Sequence, residues 1–330
     1  MHISVMVKEA VEWLAIRPEG IYVDATAGAG GHSRAILEHL TTGRLLALDR
    51  DPQAIELARR NLLAHSAKLT LVQQDFAGLA VLLAQPPWTA VDGILADLGV
   101  SQMQIDTPER GFSFRAAGPL DMRMDPSQRL TAEEIVNHWG ERELADAIYR
   151  FGEERRSRRI AGAIVRARPI RNTEQLAKLI TEACQGSRRD FPSHKKRLGG
   201  SQRAVARTPK RIHPATLTFQ ALRIVVNSEL DSLTQLLNAA PGCLKPGGRL
   251  VIISFHSLED RIVKQQFQQW DRAGVMRNLT RHVVRPADQE ALANPRSRSA
   301  RLRAAERLGP VSRSAPTQLP ESAALRRPLP

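Results

Sequence analysis

The sequence predicts an α/β protein built on a parallel, doubly wound sheet. Short apolar runs alternate with amphipathic, helix-like segments, and this alternation is typical of βαβ units. An acidic residue follows each run, and ligands of such sheets bind at the carboxyl ends of the strands. The runs and their acids are Ile21–Val23 with Asp24, Leu45–Leu48 with Asp49, Leu69–Val72 with Asp75, and Val91–Leu95 with Asp97. The four acids predict a ligand site along one edge of the sheet.

A glycine-rich turn follows the first predicted strand. Gly28, Gly30 and Gly31 separate Asp24 from a helical pattern that begins at Ser33. Glycines let the chain turn tightly and let a ligand approach the main chain, and the N-terminus of the following helix favours anions. The turn therefore predicts a site for a small molecule that carries a negatively charged group.

Two cofactors compete for this turn. A dinucleotide site would need a third glycine that is missing here, although Asp49 lies where an acid would bind ribose. S-adenosylmethionine (SAM) suits a glycine turn with a nearby acid for its amino-acid end, Asp49 for its ribose and Asp75-Phe76 for its adenine. The acids at the strand ends and an L-K-P-G-G-R turn at 244–249, before a late strand, favour SAM.

The middle of the chain predicts a helical insertion. Residues 98–126 have no clean period and predict a long ordered loop, and Thr131 with Glu134 forms a capping box where the helices begin. The predicted helices are Glu141–Arg150, Glu153–Arg168 and Thr173–Cys184, then one long helix from Leu217 to near Pro241, and Leu258–Trp270 after a fifth strand, Leu250–Phe255. The predicted domains are 1–126 and 207–309 for the two parts of the SAM-binding domain, 127–206 for the helical insertion with its basic linker, and 310–330 for a disordered tail.

Charge is unevenly distributed along the chain. Lys and Arg number 48 against 34 Asp and Glu, which gives a net charge of +14. Nine basic residues lie between Arg188 and Arg211 with one acid, Asp190, and a second excess begins at Arg296. This segregation favours a nucleic acid as the partner over a general contribution to solubility.

Composition disfavours several other classes. Cys184 and Cys243 are far apart and lack metal-ligand spacing, so neither a disulfide framework nor a metal site is predicted. No apolar run approaches the ~20 residues of a membrane helix, and residues 1–18 lack the layout of a secretory signal. The sequence predicts a cytoplasmic protein that binds no membrane, and it leaves the oligomeric state open.

Motifs spread from Met1 to about Arg307 carry a family resemblance. They are H-I-S-V at 2–5, G-A-G-G-H-S-R at 28–34, A-L-D-R-D-P-Q-A-I at 47–55, D-G-I-L-A-D-L-G-V-S at 92–101, R-G-F-S-F-R at 110–115, G-P-L-D-M-R-M-D at 118–125, Y-R-F-G-E-E-R at 149–155, H-P-A-T-L-T-F-Q-A-L-R-I at 213–224, G-G-R-L-V-I-I-S-F-H-S-L-E-D-R-I-V-K at 247–264 and N-P-R-S-R-S-A-R-L-R-A-A-E-R at 294–307. With these motifs the chain resembles the bacterial small-subunit rRNA cytosine-N4 methyltransferases, the MraW family.

The resemblance implies a Rossmann-like class I SAM-dependent methyltransferase sheet with an inserted helical domain. The implied reaction is methylation of N4 of a cytidine in the decoding (P-site) region of 16S rRNA in the 30S subunit. The family's cofactor contacts fall on Gly30, Gly31, His32, Asp49, Phe76, Asp97 and Gln104. One departure is that Gln102-Met103 stands where the family has Ser-Pro.

Asp97, at the end of the fourth strand, is the candidate catalytic residue. We expect it either to accept a hydrogen bond and a proton from the N4 amino group or to bind the amino-acid end of SAM. The candidates for RNA contacts are His213, Ser254, His256, Arg296 and Arg298. Both histidines keep a structural alternative: capping or packing at a helix start for His213, and a buried ring that closes the fifth strand for His256.

Three other functions stay open. A DNA amino-methyltransferase would show an N/D/S-P-P-Y/F motif after the fourth strand, and D-L-G-V at 97–100 does not match it. A non-catalytic, SAM-sensing RNA-binding protein would bind both ligands without turnover. An NAD-dependent oxidoreductase comes last, because no pair of residues for hydride transfer is evident.

Overall fold

The computed structural model describes residues 4–86, 88–185 and 213–309. The strands are β1 (Ile21–Asp24), β2 (Arg44–Asp49), β3 (Leu69–Gln73), β4 (Val91–Asp97), β5 (Leu244–Ser254), β6 (Met276–Asn278) and β7 (Arg301–Arg307). The helices are α1 (Val7–Leu14), α2 (Gly31–His39), α3 (Pro52–Asn61), α4 (Leu79–Leu83), α5 (Gln102–Asp106), α6 (Ala132–His138), α7 (Glu141–Gly152), α8 (Ser157–Arg166), α9 (Thr173–Gln185), α10 (Thr216–Asn227), α11 (Glu229–Cys243), α12 (Ser257–Arg272) and α13 (Asp288–Ala293). The predicted basic stretch at 188–211 and the predicted tail lie outside the described residues.

The seven strands form one sheet in the order β3-β2-β1-β4-β5-β7-β6. Strands β1 to β5 run parallel, and β7 is antiparallel to both β5 and β6. The strand order reverses between β1 and β4, because β2 and β3 lie on one side of β1 and the later strands on the other. A reversal of this kind opens a crevice at the carboxyl ends of the strands, where ligands bind. The predicted α/β fold with a doubly wound sheet is confirmed.

Both faces of the sheet are covered by helices, which explains the continuous apolar runs in the sequence. In β2, Leu46 and Leu48 pack on one face with residues of α11 and α12, whereas Leu45 and Ala47 pack on the other face with residues of α1 and α2. All four side chains are fully buried. None of the described helices has the length and apolarity that crossing a membrane requires.

The inserted helices have a core of their own. Helices α6 to α9 pack with α10 around side chains such as Ile148, Ile160 and Leu222. Helix α10 thus belongs to this core, although the sequence predicted that the insertion ends at residue 206. Thr131 accepts the N–H of Glu134 (3.1 Å), so helix α6 begins where the capping pattern predicted.

The prediction of one long helix after the insertion is wrong, because the chain forms two helices there. Helix α10 ends at Asn227, and Ser228 adopts a left-handed conformation with φ of 49° before α11 begins. The side-chain amide of Asn227 donates to the carbonyl oxygen of Met122 (2.8 Å) and accepts the N–H of Met124 (2.7 Å). These hydrogen bonds to a loop about a hundred positions away fix the end of α10. The prediction failed because the apolar periodicity of the sequence does not reveal such long-range hydrogen bonds.

Candidate cofactor and substrate site

The glycine turn after β1 is built around two carboxylates. Asp24 is fully buried and accepts hydrogen bonds from the N–H of Thr26 (3.1 Å) and the hydroxyl of Ser33 (2.6 Å). Gly28, with φ of 53°, donates its N–H to Asp49 (2.8 Å). Asp24 therefore stabilises the turn through buried hydrogen bonds, whereas Asp49 lies at the carboxyl edge of the sheet.

The glycines of the turn serve two purposes. A side-chain carbon on Gly28 would meet nothing closer than a backbone oxygen at 4.0 Å, so this part of the turn is open to a ligand. A side-chain carbon on Gly31 would overlap the hydroxyl of Ser4, and one on Gly30 would come within 2.9 Å of Leu62. Gly30 and Gly31 therefore allow close packing of the turn against neighbouring segments.

Two adjoining cavities open at the carboxyl edge of the sheet. The first, of about 620 Å³ including space open to solvent, is lined by residues such as Asp49, Asp75, Phe76, Gln104, Met124, Glu229 and Glu259. The second, of about 1020 Å³, is lined by residues such as Gly28, Gly31, His32, Asp97, Arg223 and Arg296. The two share Thr26, Leu98, Gly99 and Ser101, so they form one elongated site. Of the predicted cofactor residues, Gly30 is the one that lines neither cavity.

The first cavity contains two acids that are held in place by the backbone. Asp49 accepts the N–H groups of Gly28 (2.8 Å) and Asp51 (2.9 Å), and burial raises the pKa of Asp49 to about 6. Asp75 accepts the N–H of Ala77 (2.8 Å) and lies 3.1 Å from the guanidinium of Arg50. Fixed carboxylates of this kind are preorganised acceptors for the hydroxyl and amino groups of a ligand.

In the second cavity, Asp97 has an oxygen that no described group satisfies. Its Oδ1 atom is buried without a hydrogen-bond partner, and its Oδ2 atom lies 3.6 Å from Nδ1 of His32. The other ring nitrogen of His32 lies 2.9 Å from the carbonyl oxygen of Val5 and donates to it, because a carbonyl can only accept. Burial raises the pKa of Asp97 to about 7, and His32 offsets part of that rise. Asp97 is therefore poised to exchange a proton near neutral pH.

The loop after β4 is ordered by a buried ion pair. Arg110 donates to Asp51 (2.8 Å), and the same carboxylate accepts the side-chain amide of Gln104 (2.9 Å). Ser101 and Gln104 also form a reciprocal capping box at the start of α5. The loop is thus fixed even though Gln102-Met103 departs from the family pattern, and Gln104 is held at the wall of the first cavity.

A network of charged groups closes the site near α12. Arg223 binds both carboxylate oxygens of Glu229 (2.8 and 2.9 Å), and Glu259 accepts the N–H of Phe255 (2.8 Å). Nε2 of His256 lies 3.1 Å from Glu259 but makes no aligned hydrogen bond. Glu229, His256 and Glu259 are close enough together for metal ligands, but the guanidinium and the backbone already satisfy the two carboxylates. We interpret the group as an ion-pair network.

The structure brings one of the five predicted RNA contacts, Arg296, into the lining of the site. His256 caps the N-terminus of α12. The hydroxyl of Ser254 donates to the carbonyl oxygen of Arg301 (3.3 Å), and Arg298 is exposed and donates to a backbone carbonyl (3.2 Å). The ring of His213 accepts the N–H of Ala215 (3.2 Å), and its centroid lies 4.6 Å from that of the Phe114 ring. His213 therefore has the capping and packing role that the sequence left open as the alternative to an RNA contact.

Sequence reasoning missed the residues that support the site from a distance. Arg50, Asp51 and Arg110 stand in the quoted motifs, but for the two arginines no local pattern distinguishes them from surface charges. Asp51 could have been found as the residue before Pro52, because an acid there is an N-cap, and Asp51 does accept the N–H of Gln53 (2.9 Å).

Together the fold and the site define the class of the protein. A seven-stranded sheet whose order reverses beside β1, with a glycine turn after β1 and acids at the strand ends, is the Rossmann-like architecture of class I methyltransferases. The chain belongs to the MraW methylase family, whose model matches residues 1–308.

Curated relatives match almost the whole chain. A ribosomal RNA small subunit methyltransferase H from Solibacter usitatus (strain Ellin6076) is 50% identical over 306 residues, which cover 93% of this chain and 99% of the relative. The protein of that name from Koribacter versatilis (strain Ellin345) is 51% identical over 314 residues, which cover 93% of this chain and 94% of the relative. Among solved structures, an rRNA methylase from Streptococcus thermophilus superimposes with a TM-score of 0.43 at 12% identity, over 94% of this chain and 100% of the other.

Proposed function

We propose that this protein is a SAM-dependent methyltransferase that methylates N4 of a cytidine in the decoding (P-site) region of 16S rRNA, within the 30S subunit. The observation that carries the proposal is Asp97, which lines the second cavity with a buried carboxylate oxygen that no described group satisfies. Relatives at 50% and 51% identity are named as methyltransferases of small-subunit rRNA, and the motifs resemble those of the cytosine-N4 enzymes.

The residues of the site fit SAM as the cofactor. Asp49 offers acceptors for ribose hydroxyls, and Phe76 offers an apolar face for adenine in the first cavity. The open backbone at Gly28 and the carboxylate of Asp97 lie in the second cavity and suit a charged amino-acid end. When bound, SAM supplies a methyl group that its positively charged sulfur already activates.

The target nitrogen needs both alignment and a proton acceptor. N4 of cytidine is a weak nucleophile because its lone pair is delocalised into the ring, so the protein must hold it in line with the methyl group. Orientation of this kind contributes roughly 7–11 kcal/mol. The free oxygen of Asp97 accepts a hydrogen bond from the amino group and fixes the nitrogen. The same oxygen takes up the proton that N4 loses as the nitrogen–carbon bond forms and the carbon–sulfur bond of the methyl donor breaks.

A positive charge in the same cavity as Asp97 suits a nucleotide substrate. Arg296 lines the second cavity, and its guanidinium makes no hydrogen bond or ion pair with any described residue. Burial lowers the pKa of this guanidinium, and a nearby acid, Asp106, offsets part of the effect. A guanidinium without a partner offers donors to a phosphate, so Arg296 suits a cytidine that is unpaired or flipped out of its stack.

SAM affinity is expected to fall as the pH is lowered below about 7. Because burial raises the pKa of Asp97 to about 7, the empty site carries a proton there at lower pH, whereas a cationic ligand binds the ionised carboxylate. Each pH unit then lowers the affinity by up to about tenfold. Isothermal titration from about pH 6 to pH 8 measures this slope, and Asp97→Asn should flatten it. A wild-type affinity that does not vary with pH would place the cationic end of SAM away from Asp97.

The function is tested by methyl transfer from labelled SAM to 30S subunits that lack the modification, followed by nucleoside mass spectrometry. We expect N4-methylcytidine in 16S rRNA. A different methylated nucleoside would overturn the proposed target, and transfer to DNA in place of rRNA would support the DNA amino-methyltransferase. SAM and RNA binding without transfer to subunits, naked rRNA or assembly intermediates would support the SAM sensor.

A further inference from the structure

Four exposed side chains lie in the segment where α7 ends and α8 begins. We call this group the arginine corner; it consists of Tyr149, Arg155, Arg156 and Arg158. The tyrosine is 59% exposed, which is unusual for a large side chain in this protein. None of the three guanidinium groups has an ion pair with a described residue. The corner therefore exposes three guanidinium groups without ion-pair partners, and one aromatic ring, within a segment of ten residues.

Local stability does not explain this concentration of charge. Arg156 occupies the N-cap of α8 and Arg158 lies in its first turn, and that turn contains no acid. Cations are unfavourable at a helix N-terminus, because the backbone dipoles already place positive charge there. The nearby acid Glu153 is engaged elsewhere, with the guanidinium of Arg261 (2.9 Å) and the hydroxyl of Ser257. Glu154 accepts the backbone N–H of Arg156 (2.8 Å), but no described carboxylate forms an ion pair with any of the three guanidinium groups of the corner.

The corner adjoins the candidate active site. Glu153, between Tyr149 and Arg155 in the sequence, bonds to the first turn of α12 through Ser257. Glu259, two residues further along the same turn, lines the first cavity. The segment that contains the corner is therefore bonded, through Glu153, to the helical turn that contributes a wall residue of the first cavity.

We propose that the arginine corner binds the sugar-phosphate backbone of the rRNA whose cytidine enters the second cavity, and that Tyr149 stacks on an unpaired base of that RNA. The inference rests on the proposed function. Guanidinium forks match phosphate oxygens in shape and charge. Exposed aromatic rings next to arginines bind unstacked bases in single-stranded RNA. The corner would hold the RNA while Asp97 and Arg296 hold the target nucleotide.

The test compares two triple variants with the same change in charge. Arg155→Gln/Arg156→Gln/Arg158→Gln removes the corner, and Arg44→Gln/Arg272→Gln/Arg277→Gln removes three exposed arginines at the edge of the sheet opposite to the cavities. Arg44 begins β2, Arg277 lies in β6, and Arg272 ends α12 next to β6. Binding to purified 30S subunits is measured between about 50 and 200 mM salt. We expect the corner variant to lower the salt slope of log affinity by about 2 to 3, and the control variant to keep the wild-type slope.

Further measurements separate RNA docking from a structural role. SAM affinity should be unchanged in both variants, and the corner variant should raise KM for subunits while kcat at saturation is kept. Tyr149→Ala should weaken binding without changing the salt slope, and Tyr149→Phe should restore it. Equal salt slopes for wild type and the corner variant would overturn the proposal. If the wild-type protein itself bound neither subunits nor rRNA, the proposed function would fail instead.

Discussion

Replacing Asp97 with alanine is expected to lower the rate of methyl transfer by about 100-fold or more, while affinity for the 30S subunit is retained. The change removes the acceptor for the N4 amino group, and general acid–base groups contribute at least this factor. Asp97→Asn keeps the shape of the side chain but cannot take up a proton, so it should be impaired nearly as much. The rates are measured at saturating labelled SAM, because Asp97 is also expected to contact the cationic end of SAM, and subunit binding is measured separately.

A second acid on the same strand provides the control. Asp92 lies near the start of β4, at the edge of the sheet opposite to the cavities, and accepts the N–H of Ile21 (2.8 Å) and the ammonium of Lys245 (2.8 Å). Asp92→Asn is expected to lower stability without changing the rate per folded molecule. A rate for Asp97→Ala close to that of wild type would show that another group aligns the nitrogen.

Replacing Arg110 with alanine is expected to lower the free energy of unfolding by about 3–5 kcal/mol and to weaken SAM binding. The change leaves the buried carboxylate of Asp51 without its cationic partner, and breaking one half of a buried pair has a cost of this size. It also removes two hydrogen bonds to the carbonyl oxygens of Arg123 and Met124 (2.9 Å each). Urea unfolding measures the first effect, and isothermal titration measures the second.

The matched control is an ion pair of the same kind on the surface. Arg59 and Glu56 form an exposed pair (2.8 Å) on α3, and such pairs contribute less than about 1 kcal/mol. Arg59→Ala should therefore change stability little and leave SAM affinity unchanged. If Arg110→Ala behaved like Arg59→Ala, the loop after β4 would owe its order to packing around Leu120 and Met122 and not to the ion pair.

The strands at the centre of the sheet could be predicted because local and tertiary signals agree there. The run before Asp49 is apolar on both faces, and β2 is buried on both faces. The fifth strand was predicted from Leu250, but β5 begins at Leu244, which pairs with Val91 before the ladder resumes at Arg249. The Pro-Gly-Gly sequence does form an irregularity, but it lies inside the strand, since the partner strand continues past it.

The site could be predicted where it depends on the ends of strands. Asp97 and Asp49 follow apolar runs directly, so topology alone brings them to one edge of the sheet. Partners that lie far apart in sequence were not predictable in this way: Arg110 is 59 positions from Asp51. Ser254 also ends a strand, but its hydroxyl donates to the carbonyl oxygen of Arg301 in the neighbouring antiparallel strand β7. Strand β7 was not predicted, because its sequence contains no continuous apolar run.

The chain enters the helical insertion through a segment that contains Met124 and returns to the sheet through a segment that contains Glu229. Both residues line the first cavity, and the side chain of Asn227 links these two passages of the chain. Because one side chain ties the passages together, a shift of the helical insertion moves two walls of that cavity at once. We therefore expect RNA on the insertion, where we propose that it binds, and cofactor on the sheet to be thermodynamically coupled, and such coupling acts by the same factor in both directions. Each ligand is then expected to change the affinity for the other.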